Sequence, residues 1–290
     1  MLTLLAPAKL NLFLRITGRR EDGYHSLQTV FQLLNYGDEL NFRLRPDATL
    51  TLQVQSPSNS DHQRPADLNG DDNLVLKAAR ALLADCDRKL GADITLIKRL
   101  PVGGGLGGGS SDAATTLLAL NRLWNLEYDL ERLAELGLQL GADVPVFIRG
   151  RSAWAEGIGE VLTPVELPRR WFVVIAPNCV VSTATVFADP QLTRNSSAIT
   201  IRAFREHGAG NDCQEIVEKH FPEVKIARHW LNRFAPARMT GTGSCVFAAF
   251  ESEVEAQTTL AQKPERWRGF IARGVNISPA HQPGMGPEQN

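Results

Sequence analysis

The chain is 290 residues long, which at roughly 100–200 residues per domain predicts two domains with ample material for buried cores. Lys and Arg number 31 against 32 Asp and Glu, and this net charge of −1 argues against a nucleic-acid partner. The N-terminal run Met1–Pro7 lacks the basic and apolar regions of a signal peptide, and no run approaches the ~18–20 apolar residues that cross a bilayer.

Four cysteines, Cys86, Cys179, Cys213 and Cys245, show no zinc-type spacing and are expected as free thiols. Together these features point to a cytoplasmic protein with no membrane partner. Nothing decides between a monomer and a homodimer.

In chain order, alternation predicts a strand over Lys9–Ile16, a glycine turn at Gly18–Gly23, and strands at Thr29–Leu34 and Glu39–Leu44. The polar stretch from Ser56 to Asp72 reads as a surface loop. Asp72 then suits the N-cap of a helix over Asn73–Ala84, with Leu76, Ala79 and Leu83 at helical spacing, and Ile94–Ile97 is a short strand.

Pro101–Ser111 follows, and it holds six of the chain's 24 glycines. Directly after it, Ala113, Leu117, Leu120 and Trp124 recur at helical spacing. Ser110 or Ser111 would cap that helix, and Asp112 suits its positive end. A helix over Leu130–Leu140 is capped by Asp129 and ended by Gly141, before strands at Ala153–Glu156 and Trp171–Ala176.

The last hundred residues read as helices at Asp212–Lys219, Glu223–Phe234 and Ser252–Gln262 between strands at Arg238–Thr240, Cys245–Phe250 and Phe270–Val275. This α+β pattern, with a boundary near Pro164–Pro168, divides the chain into 1–165 and 166–290. The Pro/Gly-rich tail after Ile277 is expected to fray.

Glycines let the backbone approach an anion closely and turn successive N–H groups towards it, and an adjacent helix N-terminus adds donors and positive potential. Pro101–Ser111 before a helix is therefore read as a phosphate cradle rather than a linker. It is not a Walker A loop, because the chain contains no Gly-Lys pair. Gly103-x-Gly105-x-x-Gly108 matches the dinucleotide fingerprint only formally, without the second parallel strand and its acidic end. The protein-kinase HRD and DFG triplets are absent.

Three segments in order, Pro7–Leu12, Pro101–Ser111 and Thr240–Phe247, resemble the three motifs of the GHMP kinase superfamily, which includes galactokinase, homoserine kinase and mevalonate kinase. Within it, Arg19–Leu27, Leu100–Asp112 and Gly141–Phe147 resemble the branch that phosphorylates the 2-hydroxyl of 4-diphosphocytidyl-2-C-methyl-D-erythritol in the non-mevalonate isoprenoid pathway. The resemblance implies a two-domain α+β GHMP kinase fold, its N-terminal half like domain 2 of ribosomal protein S5 and its C-terminal half ferredoxin-like. ATP and a small-molecule substrate, a cytidine diphosphate derivative of methylerythritol, would meet between the two halves.

Alone, Asp143 reads as a turn aspartate and Lys9 as an exposed strand lysine. The resemblance makes Asp143 the catalytic carboxylate and Lys9 its neighbour. Because phosphoryl transfer is largely dissociative, Asp143 would take the proton late. Asn11 lies two residues from Lys9 on the same strand face, and a hydrogen bond to Asp143 or to substrate, or a structural role, fits it.

The resemblance also assigns Tyr24 and Phe187 to stacking on cytosine, His25 to its polar edge, Asn73 and Lys98 to adenine, and Pro101, Val102, Gly103, Gly104, Gly105, Leu106, Gly107, Gly108, Gly109, Ser110 and Ser111 to ATP. Ser111 would also touch Mg²⁺, which otherwise travels on ATP. Gly241–Ser244 either contacts phosphate or shapes the cleft. A sister kinase acting on mevalonate or a homoserine-like alcohol is the alternative enzyme, and Gly23-Tyr24-His25 argues against it. A non-catalytic binding module would need neither Lys9 nor Asp143.

Overall fold

The structure, a computed structural model, describes residues 1–56, 68 and 70–281. The predicted loop from Ser56 to Asp72 lies mostly outside the described residues, as does the tail beyond His281.

Two long antiparallel strands, β1 (Leu2–Arg19) and β2 (His25–Arg45), form the spine of the N-terminal half. The two strands expected at Thr29–Leu34 and Glu39–Leu44 are thus one. Gly37, between them, stays in the strand because it lies against the Ala6 carbonyl, where a Cβ would overlap the backbone. Asp38 stays because its buried Oδ1 accepts hydrogen bonds from the amides of Arg99 and Leu100 at 2.6 and 2.8 Å. Both reasons are tertiary.

Next, β3 (Leu50–Gln55) runs parallel to β4 (Gly91–Ile97), joined by a crossover through α1 (Leu74–Cys86). The alternating Leu-Thr-Leu-Gln-Val-Gln of β3 was not among the expected strands. The cap of α1 is Asn73 rather than Asp72. Asn73 accepts from the Val75 amide, whereas Asp72 pairs with Lys77 on the surface.

After the glycine loop come α2 (Gly108–Leu123), α3 (Leu130–Leu140) and the unexpected α4 (Val144–Arg149), which carries Pro145 in its first turn. Neither Ser110 nor Ser111 caps α2. The cap is Gly107 in a left-handed conformation, φ +70°, with both serines already inside the first turn. Asp129 caps α3 as expected, accepting from the Arg132 amide at 2.8 Å. Strands β5 (Ala153–Glu156) and β6 (Val161–Pro164) complete this half, whose core packs Phe42, Leu82 and Ile94 of the first elements against Leu117 and Phe147.

The chain crosses to the second half between β6 and β7 (Trp171–Ala176). Two short helices, α5 (Thr183–Ala188) and α6 (Ile201–His207), were not anticipated, and α7 (Gln214–His220) and α8 (Pro222–Leu231) follow. The last elements are β8 (Ala237–Met239), β9 (Val246–Phe250), α9 (Glu253–Ala261) and β10 (Arg268–Val275). The α9 N-terminus carries a capping box between Ser252 and Glu255.

The sheet order β10-β7-β9-β8, antiparallel throughout, is the ferredoxin-like arrangement. Because β10 also pairs with β2 at Leu33 and Leu34, one sheet path joins the two halves.

The chain just beyond Ile277 does not fray. Ser278 is buried and its amide donates to the Gly150 carbonyl, and the 3-10 turn Pro279–His281 packs against Gly150. Cys213 and Cys245 are buried, Cys86 and Cys179 partly so, and all four are free thiols. Among the described residues no helix is long and apolar enough to cross a membrane.

Candidate active site

A cavity of about 590 Å³ opens beside the glycine loop, and every residue from Pro101 to Ser110 lines it. The loop is held from behind by its carbonyls. Leu106 O accepts from the Lys9 amide at 3.0 Å, Gly104 O from the Cys245 amide at 3.1 Å and Gly103 O from the Ser244 amide at 3.3 Å. Gly105 O accepts from the Thr240 hydroxyl at 3.2 Å. With the carbonyls turned towards the first and third motifs, the amides of Gly103 through Ser110 have no partner among the described residues. Free amides at a helix N-terminus form an anion site. The Gly241–Ser244 loop therefore does shape the cleft, and Gly241 and Thr242 also line it.

Gly107 shows why the loop is glycine-rich. Its φ is +70°, and a Cβ there would lie 2.9 Å from the Phe147 ring and 3.1 Å from Lys9 Cε. Gly107→Ala is expected to weaken ATP binding at least about tenfold and to cost about 1–3 kcal/mol of stability through left-handed strain and overpacking. Calorimetric titration with ATP and thermal unfolding check both; unchanged ATP affinity would mean that the residue only shapes a turn.

The predicted Lys9–Asp143 contact is present, with Lys9 Nζ 3.1 Å from Asp143 Oδ2. β1 supplies Lys9, which is only 3% exposed, and Asp143 stands at the N-cap of α4 with a third of its side chain open to the cavity. Asn11, on the same face of β1, accepts from Lys9 Nζ at 2.5 Å and donates to the Thr29 hydroxyl at 2.9 Å. It therefore positions Lys9 and is not bonded to Asp143.

Lys98 and Asn73 line the cavity but are engaged elsewhere. Lys98 Nζ donates to Asp38 Oδ2 and Asp112 Oδ2 at 2.5 and 2.7 Å, directly behind Gly108. The Asn73 side chain accepts from Val75 and donates to the Leu68 carbonyl at 2.6 Å. Both thus serve as supports: the charge of Lys98 is neutralised by buried carboxylates, and both ends of the Asn73 amide hold the α1 cap. Sequence reasoning missed Asp38, whose only signal was a carboxylate inside an apolar strand.

Although burial opposes its charge, the Asp112 and Asp38 carboxylates hold the Lys98 ammonium above the ordinary lysine range. Burial, together with Asp38 and against the pull of Lys98, raises the Asp112 pKa to about 7. A folded-state value above the unfolded one, near 3.9, gives stability that is full at acid pH and lost as pH rises through 7. Between pH 5 and 8 the protein should lose stability relative to Asp112→Asn, as read by urea unfolding at both pH values. Parallel pH profiles for the two proteins would contradict this.

Ser111 departs from expectation. Its side chain is fully buried, its Oγ has no hydrogen-bond partner, and it does not line the cavity. Among the described residues no group of three His, Cys, Asp or Glu side chains is placed to hold a metal ion. Among the described residues the donor set does not fit a Mg²⁺ held by protein side chains alone.

On the other side of the cavity, Phe187 of α5 lines the wall with Leu14, Leu27 and Thr183. Its ring stacks on His25, centroids 4.9 Å apart and planes 23° from parallel. Tyr24, which the resemblance assigns to stacking on cytosine with Phe187, is 59% exposed and does not line the cavity. Its turn is held by the Arg20 amide donating to Tyr24 O and by the Tyr24 amide donating to Asp22 Oδ1, which leaves the ring in solvent. Arg194, which no motif marked, donates to His25.

Two family models match the chain, GHMP kinases N terminal domain over residues 73–151 and GHMP kinases C terminal over 193–268. The 4-diphosphocytidyl-2-C-methyl-D-erythritol kinase of Pseudomonas paraeruginosa is 54% identical over 281 residues, 97% of this chain and 96% of that protein. The protein of the same name from Alkalilimnicola ehrlichii is 57% identical over 273 residues, 94% of this chain and 91% of that protein. Among solved structures, a 4-(cytidine 5'-diphospho)-2C-methyl-D-erythritol kinase superposes with a TM-score of 0.78 at 33% identity, covering 94% of this chain and 99% of that one. A mevalonate kinase shares the fold, with a TM-score of 0.67 at 18% identity over 95% of this chain and 100% of that one.

Proposed function

The chain belongs to the GHMP kinases and, within them, to the 4-diphosphocytidyl-2-C-methyl-D-erythritol kinase family, and from that premise we propose how its cleft carries out the transfer. It is an ATP-using kinase of the non-mevalonate isoprenoid pathway that phosphorylates the 2-hydroxyl of 4-diphosphocytidyl-2-C-methyl-D-erythritol, giving the 2-phosphate and ADP.

ATP phosphates bind the unpartnered amides of Gly103–Ser110 and the positive end of α2. The nucleotide brings its own Mg²⁺, since among the described residues no group of three His, Cys, Asp or Glu side chains is placed to hold one. Residues 1–165 form the nucleotide half, and residues 166–290 complete the cleft through Phe187, Thr183 and Thr242.

Asp143 accepts a hydrogen bond from the 2-hydroxyl and holds its oxygen in line with the γ-phosphorus. In a loose transition state the alcohol needs little prior deprotonation, so the proton passes to Asp143 as the bond to phosphorus forms. Lys9, fixed by Asn11 and Thr29, faces the Asp143 carboxylate and stabilises charge on the transferring oxygens. Cytosine sits at the Phe187 wall, beside His25. Four free thiols fit a reducing, cytoplasmic compartment.

The single observation that carries this reading is the Lys9–Asp143 pair inside the same cavity as the free amides of the glycine loop. ADP release with the cytidyl substrate, mevalonate and homoserine offered separately tests it. Turnover of the first alone is expected; turnover of mevalonate or homoserine in preference would overturn the substrate assignment.

A further inference from the structure

Arg194 lies in the connection between α5 and α6, in the C-terminal half, and reaches His25 at the start of β2 in the N-terminal half. Its guanidinium uses three nitrogens at once. Nε donates to His25 Nε2 at 3.0 Å, Nη1 to the Leu192 carbonyl at 3.1 Å, and Nη2 to the carbonyls of Phe187 and Asp189, each at 2.8 Å. One side chain therefore holds both members of the His25–Phe187 stack, the imidazole by its edge and the phenylalanine by its backbone.

A guanidinium has donors and no acceptor, so the nitrogen that faces it must offer a lone pair. His25 Nε2 is thereby the unprotonated nitrogen of a neutral ring, and the ring proton resides on Nδ1. The neutral form is also the favoured one: burial, then the charges of Arg194 and Arg19, lower the His25 pKa below its ordinary value. Among the described residues Nδ1 has no hydrogen-bond partner, which leaves its N–H as a donor for a ligand.

From this geometry we infer that Arg194 is a positioning residue for base recognition, fixing His25 as an Nδ1–H donor beside Phe187. The inference rests on the proposed cytidine substrate. A fixed N–H donor matches the bare N3 of cytosine and opposes the N3–H of uracil, so the tautomer that Arg194 imposes gives the site its preference. The preference belongs to the Arg194–His25 pair. Stacking on Phe187 alone would treat both pyrimidines alike.

Nitrogen-15 NMR of histidine-labelled wild-type protein, with the His25 signals assigned by their loss in His25→Gln, reads the tautomer directly. The Nδ1–H form is expected, and an Nε2–H form would overturn the inference without any Arg194 variant having to fold. In Arg194→Leu the His25 signals should move towards the Nε2–H form, as in a free imidazole.

Kinetics provide the second arm, comparing cytidine and uridine forms of the substrate at saturating ATP. The wild-type preference in kcat/KM should fall about tenfold or more in Arg194→Leu, through KM for the cytidine form, with KM for ATP unchanged. A wild-type preference that survives in Arg194→Leu would overturn the role of Arg194 and leave the cytidine reading intact. No preference in the wild type would instead overturn the cytosine-reading part of the proposed function, while the NMR result would still decide the tautomer.

Discussion

Asp143→Asn is expected to lower kcat by about 10²–10⁴-fold while leaving ATP affinity close to that of the wild type. The amide keeps the shape of the carboxylate at the α4 N-cap, where the side chain makes no capping bond, so the helix itself loses nothing. Two things are lost. The substrate hydroxyl no longer faces a group that can take its proton, and Lys9 Nζ loses the anion that stands 3.1 Å away. The glycine loop is untouched, because its carbonyls are held by Lys9 N, Thr240, Ser244 and Cys245. Steady-state turnover with both substrates saturating, paired with calorimetric ATP titration, separates chemistry from binding. Near-normal turnover would remove Asp143 from the chemistry.

Lys9→Met should follow closely, with kcat reduced by about 10²–10³-fold through loss of electrostatic stabilisation in a buried site. Methionine fills the volume of the lysine stem between Phe31 and Gly107, so gross unfolding is not expected. The ammonium interacts with Asp143 and Asn11 together, and its removal leaves a carboxylate without its counter-charge and an amide oxygen without its donor. Because Lys9 acts on charge that develops during transfer, the loss should fall on kcat far more than on KM for the cytidyl substrate. A variant within about fivefold of wild-type kcat would reduce Lys9 to a structural lysine.

The parts of this site that were legible in the sequence are those where function imposes a local pattern. Six glycines before a helix are the local pattern of an anion cradle, and at Gly105 and Gly107 the structure adds a second demand for glycine, since a Cβ would meet Thr240 O and the Phe147 ring. Asp129 was readable as a cap for the same local reason.

The misses are tertiary in origin. The strand runs unbroken through Tyr36-Gly37-Asp38 because Ala6 lies against the glycine and the Arg99 and Leu100 amides meet the aspartate. Ser111 looked like a cap or a metal ligand until the conformation of Gly107 started the helix early and turned the hydroxyl into the interior. The pairing of Lys98 with Asp38 and Asp112 carried no sequence signal, because the three residues meet only in the fold. Arg194 carried no signal, since its partners lie on both sides of the cleft and in separate parts of the chain.

The central claim is that this cleft passes the γ-phosphate of ATP to one particular hydroxyl. Phosphorus and carbon NMR of the product formed from ATP and 4-diphosphocytidyl-2-C-methyl-D-erythritol tests it most directly. One new phosphomonoester per ADP is expected, coupled to carbon 2 of the methylerythritol unit, formed by the wild type and nearly absent with Asp143→Asn. A phosphate on any other hydroxyl, or ADP formed without a new phosphomonoester, would contradict it.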